Sequence, residues 1–222
     1  MKFYKYLCKN WGIVLNLIIP LNKNQKLLQD ISAEQFLSLN QQTKIPPIKN
    51  TLAILNYKNK LVRHAIWSLK FKNNPKISKL LGQIIYDFLI EELAELKLSN
   101  NFNNPILIPI PISRKKKRER GYNQTELIAF EINKLDKNNS FEYRKNILKK
   151  IKNTLSQSRT KNKEERKTNL RGCFKVVMPK LISGRNIILL DDVITTGATL
   201  AEAKKTLKQY QPKQIICVTL AH

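Results

Sequence analysis

An α/β fold, built as an open parallel sheet flanked by helices with a helical portion ahead of it, is what this sequence predicts, and three observations predict it. The stretches 105–112 and 186–190 are short, β-branched and almost continuously apolar, as strands buried on both faces are. Amphipathic helical periodicity lies between these stretches and resumes after the second. Before residue 100 the apolar residues recur at helical rather than alternating spacing. Strand, helix and strand in that order call for parallel pairing through right-handed crossovers, and such sheets bind ligands beyond the carboxyl ends of their strands.

Taken in chain order, the first feature is Lys2, Lys5 and Lys9 ahead of the apolar run Trp11 to Leu21. No small-residue cleavage site follows, Pro20 interrupts the run, and it falls short of the ~20 residues that span a bilayer. A short buried or partner-facing element is expected there, and no membrane span. Leu61, Ala65, Ile66 and Leu69 predict one amphipathic helix, and Leu81, Ile85, Phe88, Leu89, Leu93 and Leu96 a longer one, with Asn74 and Pro75 between them. The Asn-rich run from Ser99 to Pro105 ends the second helix with turn chemistry. It sets the expected boundary: a helical region over 1–100 and the sheet domain over 101–222. A helix from about Asn123 to Leu135 follows the first strand, with Asn123 as cap and Glu126 as its partner. Strand-like runs near Ile147–Ile151 and Gly172–Val177 flank a polar segment. Another helix is expected from Thr199 to about Gln209, and a last strand over Gln214–Leu220.

Composition narrows the partners. The 222 residues carry 41 Lys and Arg against 16 Asp and Glu, a formal net charge of +25, which attracts nucleic acids, anionic metabolites or acidic lipid surfaces. Genome-wide enrichment of Lys, Asn and Ile gives the same excess without function, so clustering has to decide. Cys8, Cys173 and Cys217 are far apart, and His64 and His222 are the two histidines, so no zinc site is expected. Sparse, unpaired thiols suit a reducing compartment, and a cytoplasmic location is expected.

The segment from Ile187 to Leu200 carries the chemistry. A buried strand delivers Asp191 and Asp192, and the small-residue turn Val193, Ile194, Thr195, Thr196, Gly197, Ala198, Thr199 opens directly into a helix. Backbone N–H groups of Thr195, Thr196, Gly197, Ala198 and Thr199 can ring a phosphate where the helix dipole is positive, and the hydroxyls add donors. Gly197 permits the close approach. The two carboxylates are then placed to accept hydrogen bonds from ribose hydroxyls. A bland alternative makes Thr199 and Glu202 a capping box and the aspartates a solvated strand end, but a cap needs neither two aspartates after four apolar residues nor so dense a turn.

Three blocks resemble a known family: Ile108-Pro-Ile-Pro with Arg118-Glu-Arg-Gly-Tyr-Asn-Gln124; Ser158-Arg-Thr with Glu165-Arg-Lys-Thr-Asn-Leu-Arg-Gly172; and Leu190-Asp-Asp-Val-Ile-Thr-Thr-Gly-Ala-Thr199. The last is similar to the phosphoribosyltransferase signature. The first narrows the resemblance to the ComF family, the competence-associated members of the type I group, and the Tyr57–Phe71 stretch also looks like that family's middle region. The resemblance implies a type I phosphoribosyltransferase fold and a site for phosphoribosyl pyrophosphate, with Asp191 and Asp192 on the ribose and Val193 to Thr199 around the 5′-phosphate. It implies a diphosphate loop at Ser113, Arg114 and Lys115. It also implies a flap that closes over substrate, with Arg159, Lys161 and Arg166 as candidates for diphosphate contact. Mg²⁺ is expected, held mainly through the ligand's oxygens. Many relatives begin with a four-cysteine zinc module; with Cys8 the one cysteine in that region, zinc is not carried over.

Ser113 to Arg120 holds six cations, more than one diphosphate needs, so Lys116, Lys117, Arg118 and Arg120 are expected to serve nucleic acid or solvent. Aromatic residues for base stacking are sparse near this run, with Tyr122, Phe141 and Tyr143 the candidates. Three readings of function stay open. The first is a phosphoribosyl pyrophosphate-binding transferase linked to DNA uptake, with other competence-machinery proteins as partners. The second is a non-catalytic single-stranded DNA-binding protein that uses the pocket as a sensor. The third is a nucleobase salvage enzyme.

Overall fold

The computed structural model describes residues 23–39, 50–154 and 170–222. Its centre is a five-stranded sheet. The strands are β1 (Thr51–Leu55), β2 (Ile106–Pro109), β3 (Glu142–Tyr143), β6 (Asn186–Val193) and β7 (Gln214–Ala221), and their order is β1-β7-β6-β2-β3 with every pairing parallel. β4 (Leu148–Lys150) and β5 (Phe174–Val176) form a separate antiparallel pair. The helices are α1 (Lys23–Asp30), α2 (Ala33–Ser38), α3 (Lys60–Phe71), α4 (Pro75–Asn100), α5 (Arg114–Arg120), α6 (Gln124–Leu135) and α7 (Ala198–Lys208).

The continuous apolar runs are explained by burial on both faces. Along β6, Ile188 and Leu190 pack into a core shared with α3, α4 and α6, while Ile187 and Leu189 pack into a second core with α7 and β5. Period-two alternation of side chains therefore sends successive residues into different apolar layers, and neither set meets water. Complete burial of each such side chain contributes about 1.5–3 kcal/mol.

Local chemistry marks the helix ends. Asn59 and Asn74 cap α3 and α4, the Asn74 side chain accepting from the amides of Lys76 and Ile77, with Pro75 in the first turn where it loses no hydrogen bond. Asn101, at φ 53°, turns the chain out of α4. The expected helices over 61–69 and 81–96 are parts of α3 and α4. One strand was not anticipated in the front half, since β1 pairs with the C-terminal strand β7.

The basic run expected as a loop is helical. Ser113 accepts from the amide of Lys116 at its start, and Gly121 ends it in the left-handed region at φ 85°. Lys and Arg are good helix formers, so the run lacks nothing but a start and a stop. No helix among the described residues is long and apolar enough to cross a membrane.

β2 is the point where the winding reverses. The chain passes through α6 to β3 on one side of β2, then returns to place β6 on its other side. A crevice opens at such a switch point, beyond the carboxyl ends of the two strands. It is bordered here by the residues after β2 and by Asp191 to Val193 of β6.

Candidate functional site

Asp191 and Asp192 are the last carboxylates of β6, where the strand leaves the core. Asp192 is buried, and its Oδ2 accepts from Lys70 Nζ at 2.9 Å and from Gln124 Nε2 at 3.2 Å. A buried carboxylate is tolerated only with such partners. Asp191 turns back on the backbone, its Oδ1 accepting from the amide of Asp192 at 2.9 Å. Burial and the neighbouring Asp192 charge push the Asp191 carboxyl up to about 7, against the pull of Lys70 and Lys150. Burial alone would lower the Lys70 ammonium, but the charge of Asp192 and its hydrogen bond outweigh burial and raise it.

Beyond the strand, Ile194 donates to the Ala221 carbonyl at 2.9 Å, which anchors the turn to β7. Gly197 lies in the left-handed region at φ 73°, and α7 starts directly after it. This is the one position in the turn where a side chain would be strained. Glu202 does not reach back as a capping-box partner; its Oε1 accepts from the Gly172 amide at 2.6 Å, which ties α7 to the segment entering β5. Thr195 to Ala198 thus stand at the amino end of an 11-residue helix, where first-turn amides lack carbonyl partners within the helix and an anion is favoured.

Cations surround the acidic pair. Lys116 is half-buried on α5; burial lowers its ammonium, as do Lys150, Arg120 and Lys70, while Asp192 acts against them. Lys150, at the end of β4, is lowered by burial and partly restored by Cys173 and Asp191. Arg120 donates to Gln124 Oε1 at 2.9 Å, so Gln124 links that guanidinium to Asp192. The result is an inner acidic pair within a collar of ammonium and guanidinium groups, suited to a ligand with hydroxyls at its centre and phosphates at its ends.

The structure brings together part of what the sequence singled out. Asp191, Asp192 and the 193–199 turn follow β6 at the same end of the sheet where Ser113, the buried N-cap of α5, follows β2. Arg114 and Lys115 are exposed at the amino end of α5. Lys116, expected to serve nucleic acid, lies within electrostatic reach of Asp192. Lys117 pairs with Glu126 at 3.4 Å, and Arg118 is exposed. Arg159, Lys161 and Arg166 lie outside the described residues.

Lys70, Gln124 and Lys150 were not singled out. Gln124 stands inside the Arg118–Gln124 block and Lys70 in the Leu69-Lys-Phe71 ending, so position within a resembling block was the available signal. The aromatic candidates fare differently. Phe141 is buried, and Tyr122 is held by its hydroxyl, which donates to the Leu69 carbonyl at 2.8 Å and accepts from the Asn73 amide at 2.9 Å. Tyr143 packs against the core. Phe141 is thus withdrawn into the core, while Tyr122 and Tyr143 stay half-buried.

Comparison with known proteins identifies the family. The family described as Phosphoribosyl transferase domain matches residues 83–222. Competence protein F of Haemophilus influenzae is 31% identical over 153 residues, 68% of this chain and 63% of that protein, so the match spans under two thirds of that relative. DNA utilization protein YhgH of Escherichia coli is 25% identical over 164 residues, 74% of this chain and 68% of its own. Competence protein ComFC of Bacillus subtilis is 32% identical over 102 residues, 46% of this chain and 38% of its own. Among solved structures, a hypoxanthine phosphoribosyl transferase of Trypanosoma cruzi matches over 63% of each chain at 12% identity with a TM-score of 0.39.

Proposed function

The chain belongs to the phosphoribosyl transferase domain family, in its competence-associated ComF branch, and from that premise we propose that it binds phosphoribosyl pyrophosphate in the β2/β6 crevice and acts in DNA uptake or use. One observation carries the reading: a strand-delivered acidic pair sits at the switch point, collared by Lys70, Lys116 and Lys150 and adjoining the amino end of α7. The 5′-phosphate would take the Thr195–Thr199 turn and the ribose hydroxyls the Asp191 and Asp192 carboxylates. The diphosphate would lie against Ser113 to Lys116 and Lys70.

Entry of the ribose requires an exchange at Asp192. Lys70 gives up the carboxylate to a hydroxyl donor and turns its ammonium to the diphosphate, so the cation that neutralises the acid also meets the leaving group. If the protein turns over, an acceptor atom bonds to the anomeric carbon as the bond from that carbon to diphosphate breaks. The electron pair departs with the diphosphate. Asp191 and Asp192 would offset the positive charge that develops on the ribose.

Mg²⁺ fits this donor set as an ion carried mainly by the diphosphate and ribose oxygens. Two carboxylates lie close by, and no group of three or more His, Cys, Asp or Glu among the described residues is arranged to hold a metal. When bound, the ion would neutralise charge on the leaving diphosphate, and Asp191 and Asp192 would be the carboxylates available to help hold it.

The DNA-linked role is supported by the names of the relatives, a competence protein and a DNA utilization protein. Calorimetric titration with phosphoribosyl pyrophosphate and Mg²⁺ tests the site. Binding is expected in the wild type and its loss in Asp191→Ala/Asp192→Ala with an unchanged circular dichroism spectrum. Equal affinity in that well-folded variant would remove the proposed site. Diphosphate release in a screen of nucleobase and other acceptors would then separate an enzyme from a sensor.

A further inference from the structure

The exposed face of α3 carries a feature that the phosphoribosyl site does not use. Lys60, Arg63, Trp67 and Phe71 fall at positions i, i+3, i+7 and i+11, one stripe along the helix, and α3 contains no acidic residue. At 1.5 Å per residue the stripe is about 16 Å long. Its inner face is spent on the core through Leu61, Val62, Ala65, Ile66 and Leu69, yet Trp67 and Phe71 remain 46% and 59% exposed. Their ring centroids are 5.7 Å apart with the planes tilted by 42°. Each ring has a cation at its face: Lys72 Nζ is 5.4 Å from the Trp67 centroid, and Arg120 Cζ is 5.2 Å from the Phe71 centroid. Beside Trp67 the surface sinks into a hollow of about 510 Å³ lined by Tyr57, Lys60, Arg63 and His64.

We propose that this stripe is a single-stranded nucleic-acid interface, with Trp67 and Phe71 as the stacking platform and Lys60, Arg63, Lys72 and Arg120 as the phosphate contacts. Two large exposed aromatic rings alone would suit an apolar partner. Cations at both rings, and none but basic, aromatic and neutral groups along the stripe, suit a ligand that alternates a flat ring with a negative charge. A duplex keeps its bases stacked inside and cannot offer them to Trp67 and Phe71, so the single strand is the favoured form. Arg120 stands at the junction, stacked on Phe71 and hydrogen-bonded to Gln124, which touches Asp192. The strand would therefore pass the mouth of the phosphoribosyl crevice. This inference deepens the DNA-linked reading above and does not depend on phosphoribosyl pyrophosphate binding.

The test uses the full chain and a fluorescein-labelled oligothymidylate, followed by anisotropy at several salt concentrations. Trp11→Phe leaves Trp67 as the one tryptophan, the chain having two, so its fluorescence reports stacking directly. Quenching by the oligonucleotide is expected. Trp67→Ala/Phe71→Ala should weaken binding about tenfold or more at unchanged salt slope, because stacking is lost and no cation is removed. Trp67→Phe/Phe71→Tyr should keep most of the affinity. Circular dichroism and calorimetry with phosphoribosyl pyrophosphate on the same variants establish the fold, and absence of heat in the wild type would count against the crevice while leaving the oligonucleotide comparison intact. Wild-type affinity in the folded alanine variant, no quenching of Trp67, or equal quenching by a duplex would each overturn the interface.

Discussion

Lys70 holds the carboxylate that a ribose would need, and that single contact has measurable consequences. Removing the ammonium in Lys70→Met leaves Asp192 buried with Gln124 as its remaining hydrogen-bond partner among the described residues, and breaking a buried pair from one side costs about 3 kcal/mol; a urea midpoint that does not move would show the pair to be dispensable. Asp191 should titrate near 7, and Asp192→Asn should bring it down by removing the like charge beside it, as followed by carboxyl-carbon NMR. Because its folded value stands above the ordinary 3.8, the native state binds more protons than the unfolded one across that interval. The Asp191 contribution to stability is thus fully present below 3.8 and lost as pH rises through about 7, and Asp191→Asn should flatten that decline. The aspartates were legible in the sequence because two adjacent acids after four apolar residues have no structural reason to be there. Lys70 was not, since it is one of 41 Lys and Arg and its approach to Asp192 depends on how α3 packs over the sheet.

At the scale of elements, α4 and α6 approach each other through Gly82. A Cβ built there would lie 2.7 Å from the Cβ of Glu131, an atom too near its own backbone to swing away. Gly82→Ala gains up to about 1 kcal/mol of helix propensity but forces the two helices apart, and overpacking of this kind costs about 1–3 kcal/mol. A lower melting temperature is expected, against the gain that propensity alone would give. A higher one would mean that the contact yields freely. The long strands and helices were legible because their apolar patterns are long. β1 was missed for the opposite reason: with five residues, Thr51–Leu55 has too short a pattern to separate a strand from a helical turn, and what makes it a strand is β7, distant in sequence. The basic run was misread as a loop because Ser113 and Gly121, which start and stop it, are equally good loop residues.

For the whole molecule, a net charge of +25 predicts steeply salt-dependent nucleic-acid binding. If ~4 phosphates are engaged, the log–log slope for a single strand should be about −3, and Lys115→Gln/Lys116→Gln/Lys117→Gln should flatten it by ~1 to 2 units. The structure refines that expectation. Lys117 is paired with Glu126 and Lys116 faces Asp192, so a flattening nearer ~1, with some loss of phosphoribosyl pyrophosphate affinity, is the outcome that agrees with their places. An identical slope in variant and wild type would assign the run to solvent. The pairing of β1 with β7 has a consequence for how the molecule comes into being. Thr51 meets Cys217 and Leu55 meets Ala221, with further hydrogen bonds from Tyr57 to the His222 carbonyl and from His222 to the Leu55 carbonyl. During synthesis, then, β1 and the helices behind it emerge long before the strand that completes them, and the sheet cannot close on the ribosome until its last strand has left. Contacts of such long range fold slowly and leave apolar edges waiting, so the nascent chain should depend on chaperones, and a chain stopped after Lys213 should be degraded rather than accumulate.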